Sequence, residues 1–426
     1  MPTTAQVSLV ERVSYISSTT KDKELQGDYA GAATPDLEGA LREGGAPSLL
    51  SRESFGLLAQ YAAVGLVYGT LPYTIYPFLQ SYLFMEGTAT TSAKALLSIP
   101  WSLKVFIGMI TDNFPIFGYR RRPYMMFGWS AAAFCLFFMA LKPLPKPYYK
   151  DPSYANLEPE MVTPDMVNGD SPDEGGIYII LMMLTSLGYL IADVAADAVV
   201  VEYAQREPIA IRGRTQTAIY TTRTFFQIFA QCILGFGLNG PEYGGDFSKG
   251  MSITTVYLIL GIFCIPIVPL TWSFVREEKY VRESFGAYVS NLWEAIQTRA
   301  FYQIIAYSFF SGVFASISWT AADPVQSIWV KATNLNYNLS GIFGNIVMVV
   351  TLTALLSLGF LFMLPAQKEQ TQELKRNGGK SKLMGIITVF YCLFALCWSI
   401  MTNILAIFPE TKCLKITGGC PPKVHD

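Results

Sequence analysis

The chain has 426 residues, 51% hydrophobic and 15% charged, with a mean hydropathy of +0.33. Soluble domains carry about 25% charge, and repeated apolar runs of about 20 residues define instead an all-α polytopic membrane protein. A net charge of −1 argues against a nucleic-acid partner, and the one histidine, His425, leaves any protonation inside the membrane to carboxylates.

Residues 1–54 read as a disordered cytoplasmic tail. No secretory h-region follows the start, and Glu11, Asp22, Glu24 and Asp28 oppose an organelle transit peptide. The first span is expected at 55–83, bent or broken by Gly65, Gly69, Pro72 and Pro77. Spans two and three follow at 92–111 and 123–141, joined by DNFPIFGYRRRP, and 142–176 is a long Pro- and acid-rich loop.

The fourth span, Ile177–Ala204, is long enough to cross a bilayer yet holds Asp193 and Asp197 inside it and Glu202 near its end. Gln205–Arg214 turns back with three arginines; spans five and six fall at 215–238 and 252–275, the latter kinked by Pro266 and Pro269. Residues 55–275 thus form a six-helix half. In Arg276–Arg299 apolar residues recur every three or four positions, the pattern of an amphipathic helix on the membrane surface, here taken as a linker at 276–300. Three further spans, 301–322, 340–364 and 383–408, make a partial second half at 301–408, and 409–426 is a tail.

Lys and Arg in the loops, tails excluded, number roughly 15 on one side against about 6 on the other, which puts the N-terminus in the cytoplasm. With no targeting signal visible, the plasma membrane is the expected location. With nine spans the C-terminus is then outside, where Cys413 and Cys420 either pair or stay free and Asn338-Leu339-Ser340 is a sequon close against a span.

A charge at helix-centre depth costs roughly 2.5–3.5 kcal/mol, so such residues face a bundle interior, a partner or a water path. Asp193 and Asp197, four apart, share one helix face. At 1.5 Å per residue Asp197 lies about 9 Å and Asp193 about 15 Å from the cytoplasmic end of their span, with Arg223 at about 12 Å and Lys104 at about 10 Å on theirs. Opposite charges therefore meet in one layer. They form either a structural network that fixes helix register or a substrate and proton site at the base of a cavity. No Ser/His, Cys/His or metal constellation supports an enzyme, and no filter motif supports a channel.

Gly108-x-x-x-Asp112 with Gly118, Arg120, Arg121 and Arg122 is similar to the loop between helices two and three of the major facilitator superfamily. PWSLKVFIGMITDNFPIFGYRRRPY (100–124) and IADVAADAVVVEYA (191–204) resemble the folate-biopterin transporter family more specifically. The resemblance covers most of 55–275 and thins from Phe301 onward, where NLNYNLSGIFG (334–344) carries it.

It implies a secondary transporter of folates or pterins working by alternating access, with a proton as coupling ion and no cofactor. A pterin's amino-pyrimidinone edge suits a carboxylate, its ring suits aromatic stacking by Tyr68, Tyr73, Trp101, Tyr220 or Trp319, and a folate's glutamate tail suits Arg or Lys. For each ring the alternative is ordinary helix packing. In the superfamily the arginine loop latches the cytoplasmic side, so Asp112 and Glu202 are its expected partners, with positive-inside topology the plainer account of the arginines.

The family fold has twelve spans built from three-helix repeats, against nine here in a six-plus-three arrangement. Truncation is the favoured reading, and closure of the open side by a partner the other. Two further functions stay open: a transport-inactive membrane protein with a regulatory or interaction role, and a transporter of another small organic anion.

Overall fold

In a computed structural model of the chain, the described residues are 51–208, 213–280, 284–315 and 378–408, with a few flanking positions. They are helical throughout apart from loops and isolated bridges. Numbered in chain order the helices are α1 (Arg52–Thr74), α2 (Gly87–Ser102), α3 (Lys104–Asn113), α4 (Arg122–Leu141), α5 (Gly176–Gln205), α6 (Arg214–Gly237), α7 (Ile253–Cys264), α8 (Ile267–Phe274), α9 (Phe285–Ile296), α10 (Arg299–Ala315) and α11 (Lys382–Ile407). Among the described residues six helical stretches are long and apolar enough to cross a membrane: Arg52–Tyr82, Gly87–Asn113, Arg122–Leu141, Ser171–Gln205, Ile253–Phe274 and Lys382–Ile407. The protein is an all-α polytopic membrane protein.

Proline explains the irregularities. After Pro72 the first span loses α-helical register and continues as π-helix over Ile75–Tyr82, around Pro77, because a proline removes one ladder donor and crowds the preceding turn. Pro100 precedes the break at Leu103 that separates α2 from α3, and Pro266 sits at the α7–α8 junction. Each interruption lies within a span, where neighbouring helices can satisfy the freed backbone.

Helix α5 is the hub, packed against α1, α2, α3, α4 and α6. Small residues let it approach α4 backbone to backbone. A Cβ on Gly188 would fall 2.8 Å from the Ala132 nitrogen, and one on Gly128 would fall 2.8 Å from the Ala192 nitrogen. Gly65 and Gly69, four apart on α1, do the same against α6: a Cβ on Gly69 would lie 2.8 Å from the Gln227 Cα, and one on Gly65 would overlap the Arg223 carbonyl oxygen. Such close contacts supply van der Waals attraction where lipid removes any hydrophobic drive between helices. A buried polar bridge pins α1, α4 and α8: the Trp129 indole donates to Gln60 (2.6 Å), whose amide donates to Thr271 (2.5 Å).

The sequence expectations fare unevenly. The fifth expected span is α6, whose helix forms but is too polar to join the six apolar stretches. The linker helix covers Phe285–Ile296 rather than the whole of Arg276–Arg299, because Tyr280 is drawn onto the arginine loop, its N–H donating to the Gly118 carbonyl at 2.9 Å. The loop 142–176 is ordered by short 3-10 turns and by Tyr148, which donates its N–H to Tyr82 (2.8 Å) and stacks on Phe84. In the same loop Asp151 accepts from the Ser153 N–H and hydroxyl, and those bonds hold its carboxyl below the usual range. The eighth expected span, Trp319, the Asn338 sequon, Cys413 and Cys420 lie outside the described residues.

Candidate functional site

The break at Leu103 places Lys104 in the first turn of α3, facing α5. Its ammonium lies 3.2 Å from Asp193 and bonds Asp197 as well, so one cation serves both carboxylates. The Tyr61 hydroxyl, from α1, donates to the second oxygen of Asp197. Burial separates the pair: Asp193 is 1% exposed, Asp197 34% and Lys104 35%. The other Asp193 oxygen, Oδ1, is buried with no hydrogen-bond partner among the described residues.

Aromatic rings border the ammonium. Lys104 lies 5.3 Å from the Trp101 ring, which meets Tyr68 edge-on at 5.4 Å and donates its indole N–H to the Tyr189 hydroxyl at 3.2 Å. Tyr68 is exposed and Trp101 half-buried, so this pair presents free ring surface. Tyr220 and Arg223 stack on each other on α6, 5.0 Å apart. Among the described residues Arg223 makes no ion pair with either aspartate, and its Nε is buried without a partner, so the expected four-charge layer is a bonded triad with Arg223 beside it. Tyr73 packs half-buried against the core.

A second charged assembly occupies the ends of α3, α4 and α8. Arg121 pairs with Asp112 at 2.6 Å and Arg120 with Glu202 at 3.9 Å, the two acidic partners expected from the sequence. Arg120 also covers the Tyr280 ring at 3.7 Å, and Arg122 covers Trp272 at 4.3 Å while donating to the Trp272 carbonyl. At the centre is a residue the sequence reading missed. The Glu277 carboxylate accepts from the backbone N–H groups of Arg120 (2.5 Å), Arg121 (2.9 Å) and Arg122 (3.0 Å), capping the start of α4. A carboxylate is well placed there, against free N–H groups and the positive end of the helix dipole.

Gly118, at φ +83°, needs its glycine for the turn; Gly108 does not need one for packing, since a Cβ there would meet only Val194 at 3.8 Å. Nearby, Glu53 pairs with Arg276 (3.1 Å) and Arg206 (3.8 Å), and buried Glu207 caps α6 through the Gly213 and Thr215 N–H groups (2.7 and 2.8 Å).

Tyr61 was also missed. In an apolar run its hydroxyl looks like any other tyrosine's, and only its place one turn before Gly65 marks the face that meets the bundle interior.

Residues 65–148 match the model of the BT1 family. Over 348 residues the chain is 26% identical to the folate-biopterin transporter of Synechocystis, covering 78% of this chain and 59% of that protein. The matches support the folate-biopterin transporter family. A probable folate-biopterin transporter of Arabidopsis thaliana is 23% identical over 202 residues, 47% of this chain and 33% of that protein. A folate transporter of Plasmodium falciparum is 36% identical over 50 residues, 12% of this chain and 10% of that protein. The chain therefore matches less than two thirds of each of these relatives' lengths. No solved structure matches it. The BT1 family match at 65–148 takes in Trp101, Lys104, Asp112 and the arginine loop, while Asp193 and Asp197 lie beyond it.

Proposed function

We propose that the chain belongs to a secondary active transporter that carries folates or pterins across a membrane by alternating access, coupled to protons. The observation that carries this reading is the ammonium of Lys104 shared by two aspartates within spanning segments, one of them open enough to take a new partner. A structural ion pair would need one carboxylate per cation; a second carboxylate beside Arg223, which among the described residues pairs with neither aspartate, leaves capacity for a ligand or a proton. The relatives' names, folate-biopterin transporter and folate transporter, supply the substrate class.

On this reading Asp197 accepts from the amino-pyrimidine edge, Trp101 and Tyr68 flank the flat ring, and Arg223 or Lys104 takes an acidic tail. Tyr220 orients Arg223. Gly108, Asp112, Arg120, Arg121, Arg122 and Glu202 form a gate at the cytoplasmic end, Glu277 binds it to the end of the sixth span, the N-terminus is cytoplasmic and the membrane is the plasma membrane.

Proteoliposomes carrying the chain are expected to accumulate labelled folate or biopterin when the outside is acid and to lose that accumulation with a protonophore. Asp193→Asn and Asp197→Asn are each expected to reach the membrane and lose net uptake. Normal net uptake in both variants would overturn the assignment.

A further inference from the structure

The two aspartates differ too much in surroundings to do one job. Both oxygens of Asp197 are engaged, by Tyr61 and Lys104, and the residue is 34% exposed. Its partners can be replaced by a solute's N–H groups without leaving a bare charge. Asp193 is 1% exposed and binds Lys104 through Oδ2 only, while Oδ1 is buried without a partner. A buried, unpartnered carboxylate oxygen bears the full desolvation penalty, and a proton removes most of it by neutralising the group.

We infer, resting on the transport reading above, that Asp197 held by Tyr61 is the substrate-facing carboxylate and Asp193 is the proton-carrying one. A proton from water on the acid side bonds to the bare oxygen of Asp193, and Lys104 is then left to Asp197 or to the solute. The proton returns to water on the other side when Lys104 turns back to Asp193; no other bond changes. Tyr61 is a positioning residue, since it fixes the Asp197 carboxylate and touches no proton of the coupling step.

The titratable and charged groups facing Asp193 come from every element around it. They are Asp197 and Tyr189 on α5, Tyr61 on α1, Lys104 on α3 and Arg223 on α6. Where α4 meets α5 the contact is between Gly128, Ala132, Gly188 and Ala192, which brings no charge.

The test separates exchange from net transport in proteoliposomes, with tritiated biopterin and tritiated folic acid as probes. Asp193→Asn is expected to keep exchange at equal pH on both sides and to lose accumulation driven by a pH gradient. Asp197→Asn is expected to lose both, and Tyr61→Phe to raise the KM for exchange about tenfold with its pH profile unmoved, the cost of one hydrogen bond to a charged group. Equal loss of exchange in the two asparagine variants, in protein that runs as a single species in detergent, would overturn the division of labour. If Asp193→Asn does not assemble, Asp193→Glu is expected to move the pH profile of exchange while Asp197→Glu changes its KM; the reverse pattern overturns the inference. Failure of the unaltered chain to exchange either probe would instead overturn the transport reading itself.

Discussion

The two charged assemblies of this molecule are built from the same residue types and reach opposite results. Around the arginine loop each charge is answered: Arg121 by Asp112, Arg120 by Glu202 and the Tyr280 ring, Arg122 by Trp272, and Glu277 by three backbone N–H groups. In the middle of the bundle one cation, Lys104, is divided between Asp193 and Asp197, and among the described residues Arg223 pairs with neither. A network in which each charge has its own partner loses by any rearrangement and therefore holds geometry, even though the Nε atoms of Arg121 and Arg122 are buried without a hydrogen bond among the described residues. An under-supplied one has several arrangements of similar cost, which is what a bistable element requires.

Lys104→Met is the strongest way to break that contrast. Removing the shared cation leaves both carboxylates without a counter-ion, expected to abolish uptake and to cost about 3 kcal/mol, the low end for a buried pair because Lys104 is partly exposed. Loss of uptake is read in proteoliposomes, and lost stability in thermal unfolding in detergent.

Next comes Gly65→Ala, since its methyl overlaps the backbone carrying Arg223; overpacking there is expected to cost about 1–3 kcal/mol and to shift Arg223 from its place beside the triad. Thermal unfolding with uptake measures it, and an unchanged melting temperature would show that α1 and α6 are less tightly apposed.

Glu277→Gln probes the satisfied assembly, where loss of one cap's charge is expected to cost about 1 kcal/mol and to leave substrate exchange intact. A loss of exchange as large as that of Lys104→Met would erase the contrast between the two regions.

Smallest of all is Asp151→Ala in the loop 142–176, expected to leave uptake unchanged. The hydrogen bonds from Ser153 lower the Asp151 pKa, so their support of the turn is present above the ordinary carboxylate value near pH 4 and is lost as the pH falls through the lowered one. Amide exchange at Ser153 as acid is added checks that sign.

Apolar length was enough to place five of the first six expected spans, α6 being the polar exception; Pro72 and Pro266 mark expected breaks, whereas the break after Pro100 was not foreseen. Asp112 and Glu202 were expected as partners of the arginines from the resemblance of that loop to the major facilitator superfamily, and the structure pairs them so. Glu277 was not, because it lies in a stretch whose apolar periodicity suggested a surface helix, and a carboxylate bound to backbone N–H groups leaves no pattern in spacing. The pairing of Lys104 with both aspartates was foreshadowed by depth along the helices; the exclusion of Arg223 from it was not, since depth says nothing about rotation around a helix axis. Tyr61 and the Gln60–Trp129–Thr271 bridge depend on contacts between residues far apart in the chain, which only the packed bundle creates.

Helix α6 has a consequence for how the protein is made. Its exposed side carries Phe225, Ile228, Phe229 and Phe236, but Arg223 and its many threonines and glutamines keep the whole too polar to count among the six apolar stretches. Such a segment gains less from lipid than the six apolar stretches do. Its place in the bilayer leans on α1, through the paired glycines, so a defect in that early helix is expected to surface as misinsertion of the later one.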